Sequence, residues 1–247
     1  MLRHLFATLA VAALVPVSSS AQTADELIAK NLEAKGGLEK IKAVQSMRVT
    51  GTMPMGQAPN GQPVEAPFVM EMKRPNQMRL DVNYQGMTAT QAFDGNVGWQ
   101  VLPGTGRREP QVLPQEAVKQ FAEQADMDGP LVDYQAKGHK VEYVGREKVE
   151  GTDTYVLKVT LKSGEVNKIY LDAEQYLEIR SEGKSRGPTG GDLEIETLIG
   201  DYREVGGLML PHLRESGPRG GTQKMTMTVQ KIEVNVPLDD ARFRMPK

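Results

Sequence analysis

FVMEMKRPNQMRLDVNY, residues 68–84, is the stretch whose reading decides the fold. Phe68, Met70 and Met72 recur at every second position, and so do Met78, Leu80, Val82 and Tyr84. A period of two puts each set on one face of a β-strand. Lys73-Arg74-Pro75-Asn76 separates the two sets, and Pro75 stops the first strand. Outward from this pair the alternation continues. Met47, Val49, Gly51, Met53 and Met55 precede it. Further runs follow over Val141 to Val144, Tyr155 to Leu161, Ile169 to Leu171, Tyr176 to Ile179, Leu193 to Ile199, Leu208 to Leu213 and Met225 to Val236. Asp94-Gly95, Ser163-Gly164, Gly206-Gly207 and Pro218 to Gly221 supply turns at a spacing of roughly ten residues, the pattern of an antiparallel meander.

Helices are predicted at three places. Thr23 stands three residues before Glu26, the capping-box spacing, ahead of Leu27, Ile28 and Leu32 on one helical face, and Gly36-Gly37 stops the helix. A short second helix from Leu38 to about Val44 is expected to bury Leu38 and Ile41. The third starts after Pro114, sets Val118, Phe121, Ala122 and Ala125 on one face, and ends at Asp126 and Gly129-Pro130.

The N-terminus carries an export signal. Arg3 and His4 precede an apolar run from Leu5 to Val17, too short for the ~20 residues of a membrane span. Ser19 and Ala21 supply the small residues required for cleavage after Ala21, so residues 1–21 are expected to be removed, leaving one domain over 22–247. Removal takes Arg3 away and turns the formal net charge from -2 into -3, which offers nucleic acid no global attraction. The chain has no cysteine, which excludes a lipid anchor on an N-terminal cysteine, disulfides and thiolate chemistry.

Motifs of catalysis fail on context. Gly183-Lys184-Ser185-Arg186-Gly187 fits G-x-S-x-G, with Asp201 and His212 following in hydrolase order. A nucleophile elbow requires a strand, a sharp turn and a helix, whereas this pentapeptide leads into another alternating strand and reads as an exposed hairpin connection. Past the signal only His139 and His212 remain, neither at a metal-ligand spacing, and Asp126-Met127-Asp128-Gly129 starts like a calcium loop whose later ligand positions are not filled. Glu194 and Glu196 fall on the expected solvent face of their strand. No catalytic residue, metal ligand or cofactor motif is therefore assigned. A site assembled from distant strands would leave no local motif, so an enzyme of that kind stays open.

Methionine is over-represented on the apolar strand faces. Its unbranched, polarizable side chain suits a wall that adapts to varied apolar ligands, and it equally fills gaps in an ordinary core. Arg74 likewise has two readings, a solvated cation at a strand end or a five-donor cap for several carbonyls.

Three segments carry a family resemblance: Lys73-Arg74-Pro75-Asn76 after a Met-rich strand, Phe93-Asp94-Gly95 with Trp99 and Pro103 shortly after, and Asp239-Asp240-Ala241-Arg242-Phe243 near the end. In this order, behind an export signal and paired helices, they resemble the periplasmic lipoprotein carriers of the LolA family, with their LolB and RseB relatives. The resemblance implies an α+β fold, mainly β: a strongly curved antiparallel sheet forming a half-open barrel, covered by the N-terminal helices and one inserted helix. It implies a non-enzymatic, monomeric periplasmic carrier or chaperone for a lipid or an acylated lipoprotein, working with membrane-bound donor or acceptor proteins. A sensor or interaction module of the envelope on the same fold is the alternative. Met53, Phe68, Met70, Met78, Leu80, Trp99 and Phe121 would then form the apolar cavity wall. Arg74 would lock the lid by bonding its backbone carbonyls. The chain is longer than those carriers and stops soon after Phe243, so the resemblance implies lipid binding more directly than a shuttle role.

Overall fold

The computed structural model describes residues 22–57, 63–103, 107–186 and 191–246; the expected signal peptide lies outside them. Helix α1 (Ala24–Ala34) opens with the expected capping box: Glu26 N donates to Thr23 Oγ1 at 3.2 Å and Thr23 N donates to Glu26 Oε2 at 3.0 Å. Helix α2 (Leu38–Ala43) follows the Gly36-Gly37 turn. Two meanders come next. The first is β1 (Ser46–Gln57), β2 (Pro63–Lys73), β3 (Gln77–Tyr84), β4 (Met87–Phe93), β5 (Gly98–Leu102) and β6 (Arg107–Val112). Helix α3 (Gln115–Gln124) separates it from the second: β7 (Lys140–Val149), β8 (Thr152–Thr160), β9 (Val166–Asp172), β10 (Glu178–Arg186), β11 (Asp192–Val205), β12 (Leu208–Pro218) and β13 (Met225–Val234). A 3-10 turn at Asp240–Arg242 ends the fold.

All thirteen strands join one curved, open antiparallel sheet, in the order β6-β5-β4-β3-β2-β1-β13-β12-β11-β10-β9-β8-β7. Every neighbouring pair is a sequential hairpin partner except β1 and β13, which weld the two meanders together through pairs such as Val49 with Ile232. The weld is tight at Gly51. A Cβ added there would stand 2.0 Å from Thr228 O and 2.9 Å from Phe68 Cε1.

The pleat sorts residues onto two faces. On the inner face, which carries the helices, Met47, Met72, Met78 and Phe93 stand in one cross-strand row and Val49, Met70 and Leu80 in the next. The outer face carries Glu71, Arg79, Ala92 and Trp99 in register. The C-terminal segment lies on it: Lys73 Nζ donates to Leu238 O at 2.8 Å, Arg79 Nη1 to Arg242 O at 2.8 Å and Trp99 Nε1 to Phe243 O at 2.7 Å.

Several expectations are corrected. Leu38 is 40% exposed and α2 buries none of its side chains, because its six residues span less than two turns and cannot present a broad apolar face. Tyr176 lies in a turn with φ of 60°, not in a strand, and β10 starts only at Glu178. Gly183 to Arg186 belong to β10, with Ser185 paired to Leu193, so the G-x-S-x-G segment is strand rather than hairpin connection; Gly187 lies outside the described residues. Glu196 is buried instead of solvent-facing, held by Arg180 at 2.9 Å and Lys224 at 3.3 Å. Three strands, β4 to β6, occupy a region where no alternating run was read.

Replacing Gly51 by alanine is expected to cost about 1–3 kcal/mol by overpacking, lowering the melting temperature by about 2–4 °C per kcal/mol. Thermal unfolding followed by circular dichroism checks this, and an unchanged melting temperature would show that β1 and β13 separate more easily than their register implies.

Candidate ligand-binding face

Two flanks of the inner face are capped by helices. Leu27 and Ile28 of α1 pack with Leu131 on Tyr155, Leu157, Ile169 and Leu171 of β8 and β9. Asn31, fully buried, donates from Nδ2 to Tyr176 O at 2.7 Å and fixes α1 to the β9–β10 turn. On the other flank Val118, Phe121 and Ala122 of α3, with Ala125, pack on Met72, Met78 and Phe93. Gly98 makes that approach possible, since a Cβ there would stand 3.1 Å from both Leu113 Cδ1 and Val118 Cγ2.

Between these flanks lies a third apolar cluster, built from strand residues alone. Val49, Ala66, Phe68, Val82, Val229 and Ile232 are buried at its base. Met47, Met53, Met70, Leu80, Tyr84, Val205, Leu210 and Met227 pack against them and remain only partly buried. No helix side chain belongs to this set. Four of these eight are methionines, whose unbranched side chains deform easily. Towards the ends of the strands beside this central strip, Met55, Met87 and Met225 are 41%, 37% and 55% exposed.

Arg74 ties the helical cover together at the β2–β3 turn. Its Nε donates to Val44 O at 2.6 Å and its Nη2 to Ile41 O at 3.2 Å, at the C-terminal end of α2. Nη1 donates to Asp128 Oδ2 at 2.8 Å, and Nη2 makes a second, shorter contact with Oδ1, in the turn that follows α3. One planar fork thus holds both helical segments, and a cation at a helix C-terminus is also favoured by the helix dipole. The hydrogen bonds from Arg74 outweigh desolvation and hold the Asp128 carboxyl below its ordinary range.

Of the residues expected in the wall, Met53, Phe68, Met70 and Leu80 come together in the central strip, and Met78 and Phe121 meet beside it under α3, in contact with Met70. Trp99 is corrected. It pairs with Ala92, one step out of phase with Phe93, so the pleat sends its indole to the outer face, where Arg79 stacks at 5.8 Å from the ring centroid and Phe243 O accepts from Nε1. Met227 and Tyr84 belong to the strip but were not singled out from sequence. Their alternation was visible; the β1–β13 pairing that brings Met227 beside Met53 was not.

Charge on the inner face is concentrated near α1. Lys35 Nζ binds Glu178 Oε1 at 3.0 Å. Burial works against the Glu178 carboxylate, yet Lys35, with Arg214 farther off, keeps its pKa below the ordinary value. Among the described residues no group of three His, Cys, Asp or Glu side chains could hold a metal ion. His139 Nδ1 accepts from Lys162 N, and His212 Nδ1 lies 3.0 Å from Leu210 O.

A LolA superfamily protein from Nitrosomonas europaea superimposes with a TM-score of 0.62 at 13% identity, over 91% of this chain and 98% of the other. The fold is LolA-like. A DUF1329 family protein from Desulfovibrio piger has a TM-score of 0.56 at 12% identity, over 89% of this chain and 96% of that one. A putative outer membrane lipoprotein-sorting protein domain from Vibrio parahaemolyticus has a TM-score of 0.56 at 13% identity, over 87% of this chain and 97% of the other. No family model and no curated protein matches the sequence. At these identities the LolA-like likeness is one of architecture: a curved, open antiparallel sheet with short helices.

Substituting Arg74 by alanine should raise amide exchange and proteolysis at α2 and at residues 126–130, because it frees two carbonyls and an acidic side chain. The same tie should respond to pH. Because the Asp128 pKa is depressed on folding, its stabilisation is complete above the unfolded value of about 3.9 and is lost as pH falls through the lower folded value. Asp128→Asn should remove this component of the acid limb, which acid unfolding of the two proteins side by side would measure.

Proposed function

We propose that this chain is an exported, non-enzymatic carrier or chaperone of the bacterial envelope that takes alkyl chains of a lipid or an acylated lipoprotein onto the central strip. The single observation that carries the reading is the central cluster: among the described residues eight partly buried apolar side chains, four of them the methionines Met47, Met53, Met70 and Met227, pack against a buried base of strand residues, and of these only Met70 also packs with a helix. An apolar surface left open inside a curved sheet gains about 0.8 kcal/mol for each methylene it buries. Methionine suits ligands of varied shape.

Export through residues 1–21 supports a periplasmic site of action, and among the described residues no helix is long and apolar enough to cross a membrane. The likeness to a putative lipoprotein-sorting domain supports the same class of cargo. Arg74 acts as the lid lock in this reading. Parting of α2 from the turn after α3 would widen access to the strip between α1 and α3, and the Arg74 fork is the bond between them. Loading and unloading would involve membrane-bound donor and acceptor proteins, with the carrier itself a monomer.

Native mass spectrometry of protein purified from the exporting host should show bound lipid, and the delipidated protein should take up a fluorescent fatty-acyl probe. Leu80→Gln, which sets an unpaired amide in the floor, should weaken probe binding about tenfold or more, from a polar burial cost of about 1–3 kcal/mol. Trp99→Phe, altered on the outer face, should leave it unchanged. A protein that carries no lipid and binds no probe would overturn the reading.

A further inference from the structure

The central strip is not uniformly apolar: Gln91 and Gln100 continue the Leu80 row on one side, and a margin that carries charge lies on the other. In the row that runs across the inner face, Ile199 of β11 pairs with Arg214 of β12, and Arg214 pairs with Met227 of β13. Met53 is the next residue along β1 from Thr52, which pairs with Thr228, so the row passes directly from a guanidinium into the methionine floor. In the neighbouring row Ser181, Thr197, Ser216 and Met225 stand in register, and the Thr197 and Ser216 hydroxyls are 2.8 Å apart.

Arg214 is exposed and forms no ion pair among the described residues. Glu178 lies within its electrostatic range, and that carboxylate is already held by Lys35 at 3.0 Å. Lys35, Glu178 and Arg214 together therefore leave one positive charge in surplus. By contrast Arg203, farther along β11, is closed on Asp201 through Nε at 3.0 Å and Nη2 at 2.6 Å, as a surface arginine near acidic groups normally is. An uncompensated cation with two hydroxyls beside it, at the margin of an alkyl-binding floor, has the chemistry of a head-group site.

We propose that the ligand is an amphiphile with an anionic head, its head held by Arg214 with the Thr197 and Ser216 hydroxyls, and its alkyl chain running over Met227 and Met53 towards Met70. This rests on the reading of the strip as an alkyl-binding surface. The shared chemistry is a carboxylate or phosphate oxygen that accepts from the guanidinium fork; neutral heads of the same chain length lack it.

The test compares hexadecanoate, hexadecyl phosphate and hexadecanol as competitors for a fluorescent acyl probe on the mature protein. The wild type should bind at least one anion about tenfold or more tighter than the alcohol, the value of a charge-assisted bond. The anion with the larger advantage identifies the head group. Arg214→Gln should abolish that advantage, Arg214→Lys should keep part of it, and Arg203→Gln should keep all of it. Equal affinities for the three competitors in the wild type, or an advantage that survives in Arg214→Gln, would overturn the head-group site while leaving alkyl binding in place. If no competitor displaces the probe and no probe binds, the alkyl-binding reading itself falls, and the head-group site with it.

Discussion

A thirteen-stranded open sheet has two faces, and among the described residues there are three short helices and one C-terminal segment with which to cover them. That shortage of cover governs the rest of the structure. The helices are spent on the two flanks of the inner face, α1 over β8 and β9 and α3 over β3 to β5. The middle, where β13, β1, β2 and β3 meet, is left to strand side chains. A core that needed every apolar group dry would place another helix there. The chain instead places methionines, which tolerate partial exposure and irregular neighbours better than β-branched residues do.

The outer face solves the same shortage with charge. Glu71, only 1% exposed, is bound by Arg48 at 3.0 Å and by Arg242 at 2.6 Å, so the C-terminal segment neutralises a carboxylate that it also buries. Farther along, Arg180 lies over the ring of buried Tyr170 and pairs with Glu182 and Glu196, while Arg219 and Lys224 close the remaining sides. A buried carboxylate stripped of its partner is strongly destabilising, which ties these networks to a single arrangement of the strands. The free edges are blunted as well: β6 carries Pro110, which has no N–H to offer, and β7 carries Lys140, Glu142, Glu147 and Lys148 and is broken by a bulge near Gly145.

How much of this was legible in the sequence depends on whether the signal was local. Period-two alternation over Phe68–Met72 and Met78–Tyr84, the Thr23 capping box and the glycine turns are local, and they gave the meander and the helices. The face of a residue was legible only within one run: Met78 and Leu80 could be set together, but Trp99 sits beyond the Phe93-Asp94-Gly95 turn, and its face depends on the β4–β5 register. Pairing across the whole chain was invisible. The β1–β13 weld brings Met227 to Met53, the β2–β3 turn brings Arg74 to Asp128, and the charged partners of Glu196 come from β10 and the β12–β13 turn. The alternation rule also misplaced Glu196 because it assumes that an outward face is a wet one, whereas this outward face is dense enough in arginine and lysine to bury carboxylates.

Arg74 and the central strip are linked through the same geometry. Its side chain is 23% exposed and its guanidinium holds two backbone carbonyls and one carboxylate at once, so its contacts break together when the helical segments part. Within the strip only Met70, which packs with Val118, Phe121 and Ala122 of α3, ties a side chain to a helix against such a movement. The flanks do resist it: Leu27 and Ile28 are anchored in one cluster, and Phe121 and Ala125 in another. In the proposed function, parting of the two flanks would exchange the Arg74 fork for water. A fork of charge-assisted bonds between two packed flanks fixes their geometry through few contacts, which is the property the proposed reversible binding would use.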